Sequence, residues 1–291
     1  MIKIFVDSDS DFSLEQCKKW GVSLISMPYE FKGKEIKPYV DFEKFEPHKY
    51  YEELRKGVLP TTSALNPEDY IKYFEPEFKE GNDVFYIHFS AAMSGSFNSM
   101  RLALDELKKK YPERKFYELD TLGITLCAYT IGRDVVRKVL AGEDVEKVIA
   151  WAEEERHRYA TYFFADNLKF FAKSGRVSGI AAFMGGIIGI RPILTMNDEG
   201  KMVPVGKVKG RRSAVLKLAD YVEELGIEFD EHVITFGHCD AIHLVEELKE
   251  ELINRLGKKH KLSFEVVEVN PTAGAHCGPD TLGVTFRAKH R

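Results

Sequence analysis

The sequence predicts an α/β protein of two α/β domains, the first a three-layer domain with a parallel sheet between helices. Short apolar runs rich in β-branched and aromatic residues alternate with longer amphipathic runs along the chain. This alternation is typical of parallel strands joined by helices. The length of 291 residues exceeds the size at which one hydrophobic core usually stops growing. We therefore expect two domains, residues 1–158 and 159–291.

In the first domain, short apolar runs predict buried strands at residues 2–6, 84–89 and 116–119. Apolar side chains at helical spacing predict helices at residues 14–20, 67–78, 97–110, 125–140 and 145–157. Because helices separate the strands in sequence, we expect a parallel sheet that is covered on both faces.

The second domain continues the alternation with more strands than helices. Strands are predicted at residues 161–165, 191–196, 203–208, 232–237, 264–269 and 283–288. Helices are predicted at residues 213–225 and 241–256, where apolar residues recur every three or four positions. This half is therefore also expected to be α/β.

Charge and cysteine usage narrow the class of protein. The formal net charge is −4 at pH 7 without a basic stripe, so we do not expect nucleic acid as a partner. Acids follow the first strand where a signal peptide would stay apolar, and no apolar run reaches the roughly 20 residues that cross a bilayer. We expect a cytoplasmic protein.

The four cysteines are far apart and form no CxxC pair, which predicts free thiols.

Residues 174–194 read SGRVSGIAAFMGGIIGIRPIL, with five glycines among large apolar residues and no acid. Each glycine inside a helix costs about 1 kcal/mol relative to alanine and leaves space unfilled. Two interpretations stay open. The segment is either a core helix and strand whose backbones pack closely, or a wall of a pocket for an elongated apolar ligand.

Three acids, Asp7, Asp9 and Asp11, follow the first predicted strand, where open parallel sheets bind ligands. A calcium loop is excluded because its glycine and glutamate positions hold Phe12 and Lys18. One alternative is a magnesium-dependent hydrolase or phosphotransferase that uses Asp7 and Asp9. The other is structural, with Ser10 or Asp11 capping the following helix.

Two hydroxyl clusters occupy equivalent places before predicted helices. Thr-Thr-Ser at residues 61–63 precedes Asn66 and Pro67, which suit the N-cap and first turn of a helix. Ser-Gly-Ser at residues 94–96 lies between a strand and a helix. Free N–H groups at a helix N-terminus favour a carboxylate or phosphate, although capping alone would also explain each cluster.

His276 lies in TAGAHCGPD, where glycines on either side would let the backbone turn tightly. A neutral imidazole can donate to a carboxylate or orient a hydroxyl group. Cys277 beside it, and the pair His238 and Cys239, could supply metal ligands, but no further ligand falls at a recognisable spacing. We therefore predict no metal site.

Taken together, these motifs resemble the DegV family of bacterial fatty-acid-binding proteins. The resemblance covers nearly the whole chain in the same order, through VDSDSDF (6–12), TTS (61–63), FSAAMSGSFNS (89–99), DNLKFFAKSGRVS (166–178) and HCGPDTLG (276–283). It implies two α/β domains and one long-chain fatty acid in a buried tunnel at and below their junction. It also implies a non-catalytic carrier without a cofactor, which presents the fatty acid to a separate fatty acid kinase for acyl-phosphate formation.

The resemblance also implies roles for individual residues. The carboxylate would be held by Thr62, Ser63, Ser94, Gly95 and His276. The acyl tunnel would be lined by Phe163, Phe164, Phe183, Met184, Ile187 and Ile188. The kinase would dock on Arg176, Lys209, Arg211 and Arg212, and a transient contact with a membrane surface belongs to the same expectation.

The chain departs from the family pattern around two of these motifs. Ala64 and Leu65 replace the usual Gln-Pro after the hydroxyl cluster, and Ala91 replaces the second serine of a usual pair. Cys277 and Asp280 replace the usual threonine and glycine after the histidine. The residues expected to bind the carboxylate are of the same type as in the family. The departures therefore concern the tunnel entrance and the preferred length and unsaturation of the fatty acid.

Overall fold

The computed structural model describes residues 1–40, 45–177 and 189–291. Its strands are β1 (Ile2–Asp7), β2 (Ser23–Ile25), β3 (Tyr29–Phe31), β4 (Lys34–Ile36), β5 (Thr61–Thr62), β6 (Asp83–His88), β7 (Phe116–Asp120), β8 (Tyr159–Phe164), β9 (Ile190–Met196), β10 (Met202–Lys209), β11 (Ile234–His238), β12 (Phe264–Glu268) and β13 (Leu282–Arg287). Its α-helices are α1 (Leu14–Trp20), α2 (Pro47–Arg55), α3 (Pro67–Lys79), α4 (Ser96–Lys110), α5 (Leu126–Leu140), α6 (Val145–Glu155), α7 (Leu168–Ser174), α8 (Arg211–Leu225), α9 (Ile242–Leu256) and α10 (Pro271–Cys277).

The first sheet has the strand order β2-β1-β6-β7, and its strands are parallel. Successive side chains of a strand point to opposite faces. Ile4 and Val6 of β1 therefore pack with α1, α5 and α6, whereas Phe5 between them packs with α3 and α4. Helices thus cover both faces, which confirms the predicted α/β class and the parallel first sheet.

The second sheet has the order β10-β9-β8-β13-β11-β12. Of its pairs, β11 and β12 run parallel and the others antiparallel. On one face Phe164, Phe236 and Phe286 form a core with α8 and α9. The opposite face turns toward the first sheet.

Helix α5 packs between the two sheets. Leu126 at its start is 4% exposed and lies against Gly237 of β11 and Gly283 of β13. A methyl group on Gly237 would lie 3.2 Å from Cβ of Leu126, and one on Gly283 would lie 3.4 Å from Cδ2 of Leu126. The two glycines therefore let the sheet approach the helix closely.

A small antiparallel sheet, β4-β3-β5, packs beside α2 and α10. The Tyr50 hydroxyl donates to the carbonyl of Pro271 over 2.8 Å, and the Thr272 hydroxyl donates to the carbonyl of Met27 over 2.8 Å. Residues near the two ends of the chain thus form one layer. The sequence analysis missed this sheet because strands of two or three residues are too short to show periodicity.

Helix starts show one correct prediction and one wrong one. Asn66 and Asp69 form a reciprocal capping box at α3, as the Asn-Pro pattern predicts. At α1 the cap is Ser13, whose hydroxyl accepts the N–H of Gln16 over 3.1 Å, and not Ser10 or Asp11. The Ser10 hydroxyl instead donates to Asp7, three residues earlier, and the Asp11 carboxyl accepts tertiary hydrogen bonds from Asn270.

The domain boundary near residue 158 stays a prediction. The strands of the first sheet end at Asp120 and those of the second begin at Tyr159, but α5 contacts both. Among the helices of the described residues, none combines the length and the apolar character needed to span a membrane.

Candidate functional site

A cavity lies where the carboxyl ends of the first sheet, the small sheet, α10 and the inner face of the second sheet meet. Among its lining residues Ser63, Gly95 and Arg176 are exposed, whereas Asp9 and Phe163 are buried. The cavity therefore opens to solvent between polar residues and continues inward. It brings together all five residues of the predicted carboxylate site: Thr62, Ser63, Ser94, Gly95 and His276.

Thr62 and His276 form the central polar contact of the opening. The Thr62 hydroxyl lies 3.0 Å from Nε2 of His276, although 214 residues separate them in sequence. Antiparallel pairing of Thr62 with Tyr29 of β3 fixes the strand that carries the hydroxyl. With the proton on Nε2, the imidazole donates to Thr62 and leaves the hydroxyl hydrogen free to reach a carboxylate.

Ser94 and Gly95 lie at the start of α4, where Gly95 is the N-cap. The Ser94 hydroxyl accepts the N–H of Ser96 over 3.2 Å and donates to the Ser96 hydroxyl over 3.0 Å. The Ser96 hydroxyl in turn accepts the N–H of Leu65 over 3.1 Å. This chain of hydrogen bonds fixes the hydroxyl cluster beside the positive end of a 15-residue helix.

His276 lies on α10, whereas the sequence analysis expected a tight turn. The helix begins at the cap Asn270 with Pro271 in its first turn and ends before Gly278. Burial, and the positive charge of Arg176, lower the pKa of His276 to about 4. The imidazole is therefore neutral at pH 7. Asn-Pro is the pattern that also marked α3, so the signal for α10 was present in the sequence.

Ser63 is less favourably placed as a donor. Its hydroxyl lies at the opening but donates to Glu35 over 3.1 Å. Its neighbour Thr61 faces away from the cavity, with its hydroxyl 3.4 Å from Glu30. Thr62 is thus the residue of this cluster that turns toward His276.

The predicted tunnel residues divide between the two faces of β8. Phe163 lines the cavity, but Phe164 packs against α8 and α9 on the other face. Because neighbours on a strand alternate, Phe164 is not included in the tunnel proposed below. Met93, Met196 and Met202 line the cavity instead, and flexible thioethers suit an adaptable apolar wall. The other predicted tunnel residues, Phe183, Met184, Ile187 and Ile188, lie outside the described residues.

The three acids at and directly after the end of β1 are all buried but have different surroundings. Asp7 accepts hydrogen bonds from the Ser10 and Tyr86 hydroxyls and from the N–H of Phe89, at 2.8, 3.1 and 3.0 Å. Burial nevertheless raises the pKa of Asp7 to about 6. Asp7 thus ties the ends of β1 and β6 together, which is a structural role.

Metal chemistry at these acids has little support in the described part of the chain. Within it, one group of three side chains could hold a metal ion, and it consists of His48, Glu52 and Asp240. Arg55 already donates to Asp240 over 2.6 Å at this position. This group does not include Asp7 or Asp9, and the described residues do not supply those two acids with the further ligands that a magnesium site requires.

The basic residues predicted to dock a partner differ in the hydrogen bonds that their side chains make within the protein. Arg176 lies at the cavity opening and donates to the carbonyls of Met93 and Ser174, at 3.2 and 2.8 Å. Arg211 binds Asp166 through two nitrogens, at 3.1 and 2.9 Å. Arg212 donates to Glu251 over 3.0 Å, and Lys209 is exposed.

Comparisons with known proteins agree with this architecture. A DegV domain-containing protein of Clostridium perfringens is 29% identical over 97% of this chain and 96% of its own length. A structure described as a DegV lipid binding protein of Thermotoga maritima is 25% identical, with a TM-score of 0.81 and coverage of 100% and 99% of the two chains.

Two further structures share the fold. A DegV family protein from Thermus thermophilus, described by its fatty acid binding, has a TM-score of 0.86 at 24% identity, with 99% of each chain covered. A stearic acid-binding protein from Eubacterium ventriosum has a TM-score of 0.85 at 23% identity, with 98% of each chain covered. The model of the DegV family matches residues 1–289. The chain belongs to the DegV family.

Proposed function

We propose that this protein binds one long-chain fatty acid in the cavity and carries it, without itself catalysing a reaction. The observation that supports this most is the convergence of Thr62, Ser94, Gly95 and His276 at the mouth of a cavity with an apolar interior. Burying an acyl chain stabilises the complex by about 0.8 kcal/mol per methylene. Family members of the same fold are described as binding fatty acids.

The carboxylate would be bound mainly by neutral donors. His276 donates to Thr62, and Thr62 donates to one carboxylate oxygen. The Gly95 amide donates to the other oxygen, and the Ser94 hydroxyl joins it by turning its hydrogen from Ser96 to the ligand. A charged carboxylate is costly to bury unless such donors meet it. Arg176 at the opening adds a positive charge, and Ser63 belongs to the outer part of this site. Phe163 and the methionines would contact the chain.

The first test is solvent extraction of the purified protein with mass spectrometry of any released fatty acid, together with native mass spectrometry. One fatty acid per chain is expected. A protein that is empty and takes up no added fatty acid would contradict the carrier function. In that case the alternative based on Asp7 and Asp9 would be tested by magnesium-dependent turnover of phosphate esters and its loss in Asp7→Asn.

A double variant, Thr62→Val with Ser94→Ala, tests the carboxylate site. Both changes remove a hydroxyl with little change in volume, and loss of two hydrogen bonds to a charged group should weaken binding by about 100-fold or more. Thr61→Val is the matched control, because it removes the neighbouring hydroxyl that faces Glu30. Equal fatty acid retention in the double variant and in the control would contradict this assignment.

We further propose that the loaded protein presents its carboxylate to a fatty acid kinase, which docks on Arg176, Lys209, Arg211 and Arg212. Arg176 supports this best, since it lies at the opening that a kinase would have to reach. Arg176→Ala should slow acyl-phosphate formation by a bacterial fatty acid kinase and ATP at low salt. Lys289→Ala, on an exposed lysine near the end of the chain, serves as the control.

The outcome for Arg176→Ala is judged against its fatty acid content. A lower rate at full loading supports docking, since rim charges mainly affect association. An unchanged rate would contradict the docking role. Exchange of fatty acid with vesicles, with and without anionic lipid, tests the transient membrane contact. An exchange rate that does not depend on vesicle concentration would contradict it.

A further inference from the structure

Asp9 is a buried acid that lines the cavity and has no structural partner for one of its oxygens. The residue is 6% exposed, and its Oδ1 atom is buried without a hydrogen bond in the described structure. The neighbouring acid Asp7 is different, because three donors bind its carboxyl group. A buried polar atom without a partner costs about 1–3 kcal/mol, so this position calls for an explanation.

Thr125 lies directly beside Asp9 and also lines the cavity. Its N–H donates to the main-chain carbonyl of Asp9 over 2.6 Å. Its φ angle is +52°, in the left-handed region, which is rare for a β-branched residue. The described structure gives its hydroxyl no hydrogen bond, not even to cap α5.

The hydroxyls of the other buried threonines that line the cavity already make hydrogen bonds. The hydroxyl of Thr161 lies 2.6 Å from that of Thr285, and the Thr281 hydroxyl donates to the carbonyl of Cys277 over 3.0 Å. The Thr272 hydroxyl donates to Met27. Among the buried threonines of the described cavity wall, Thr125 is therefore the one whose hydroxyl makes no hydrogen bond, and it lies beside Asp9.

We propose that Asp9 and Thr125 form a polar subsite that receives an oxygen substituent of the acyl chain, so that the cavity prefers hydroxylated fatty acids. This inference rests on the proposed function. Asp9 lies in the turn after β1 and Thr125 lies directly before α5, whereas the proposed carboxylate donors lie on β5, α10 and the start of α4. A fatty acid held at its carboxylate would therefore meet Asp9 with a part of its chain.

The ionisation state of Asp9 suits this role. Burial raises the pKa of Asp9 well above its usual value, and the neighbouring carboxyl groups of Asp7 and Asp11 raise it further. This shift favours the protonated carboxyl, which can donate one hydrogen bond and accept another. A hydroxyl group on the chain offers the complementary acceptor and donor. A plain methylene chain offers neither.

The test compares affinities of the delipidated full-length protein for matched fatty acids by titration calorimetry. Ricinoleic acid is compared with oleic acid, and monohydroxystearic acids with the hydroxyl at successive carbons are compared with stearic acid. We expect at least one hydroxylated acid to bind tighter than its plain counterpart, on the order of tenfold. Equal or weaker binding of every hydroxylated acid would overturn the subsite, since a water molecule would then satisfy Asp9 equally well.

The two proposals fail in different ways. If no acid binds, both the carrier function and the subsite are contradicted. If plain and hydroxylated acids bind alike, the subsite alone is contradicted.

Variants assign the preference to the two residues. We consider the ratio of the affinity for a hydroxylated acid to the affinity for its plain counterpart. This ratio should fall to about one in Asp9→Leu and stay above one in Asp9→Asn, whose amide still donates and accepts. Thr125→Val keeps the β-branched shape at the same φ angle and should reduce the ratio. Thr161→Val is the control, because its hydroxyl is already bonded to Thr285. A preference that survives in both Asp9→Leu and Thr125→Val would contradict the assignment.

Discussion

Asp11 shows how single buried side chains join distant parts of this chain. Its Oδ1 atom accepts the main-chain N–H of Asn270 over 2.9 Å and the side-chain Nδ2 over 2.8 Å. These bonds attach the end of β1 to the start of α10, 259 residues later. The second oxygen of Asp11 is buried without a partner. Its position also has a φ angle of +52°, which aspartate and asparagine tolerate better than most residues.

We expect Asp11→Asn to stabilise the protein at neutral pH. Burial raises the pKa of Asp11 to about 8, whereas an unfolded aspartate titrates near about 4. The folded state therefore binds the proton more tightly, and wild-type stability falls as pH rises from about 4 to about 8. Asparagine keeps the accepting oxygen and has no charge to bury. Its advantage should be at least about 1 kcal/mol at pH 7 and vanish below the unfolded pKa.

Thermal melts of both proteins across this pH range test the expectation. The exposed Asp105 provides the control variant Asp105→Asn, which should not change the pH dependence. A constant difference in Tm between Asp11→Asn and the wild type at all pH values would contradict the argument, because it would show that the charge is not the cause.

At the scale of elements, α10 is the one that completes the candidate site. It has seven residues and cannot be stable alone. Its position depends on hydrogen bonds to the first half of the chain. Tyr50 binds Pro271, Asp11 binds Asn270, and Thr272 binds Met27. The position of α10 also depends on Gly278 after its last residue, where φ is +77° and ψ is 169°, a region that only glycine populates routinely.

We expect Gly278→Ala to destabilise the protein by about 3 kcal/mol, through backbone strain and overpacking together. A methyl group there would lie 2.3 Å from Cδ2 of the buried Phe170. Gly21→Ala is the control, since Gly21 also has a positive φ of 65° but has no atom within 4 Å of the added methyl. It should cost about 1 kcal/mol.

Urea unfolding gives the two free energies of unfolding. Fatty acid retention should fall in Gly278→Ala, because His276 lies on α10 two residues before Gly278, and should be unchanged in Gly21→Ala. Equal costs in the two variants would show that contact with Phe170 is not important.

At the scale of the whole molecule, α5 couples the two sheets. Its side chains on one face belong to the core of the first sheet, including Ile131. At its start, Leu126 contacts the glycines of the second sheet and also lines the cavity. The size of the cavity is thus set by the same contact that holds the sheets together.

Leu126→Ala should lower the free energy of unfolding by about 2–5 kcal/mol and also enlarge the cavity. Ile131→Ala on the same helix should cost a similar amount but leave the cavity unchanged, because Ile131 is buried against the first sheet. Competition between fatty acids of different chain length separates the two effects. Only Leu126→Ala should shift the preference toward bulkier chains, and the same shift in Ile131→Ala would contradict this view of α5.

The α/β class, the parallel first sheet and the long helices could be predicted from the sequence, because these features depend on local periodicity. Motifs in fixed order also predicted which residues line the cavity opening. Three features of the site could not be predicted in this way. His276 lies on a short helix, 3.0 Å from Thr62, and Phe164 faces away from the cavity. Asp9 lines the cavity, and its Oδ1 atom has no hydrogen bond in the described structure. These facts depend on which strands pair and which side chains face each other across more than a hundred residues, and no local pattern contains that information.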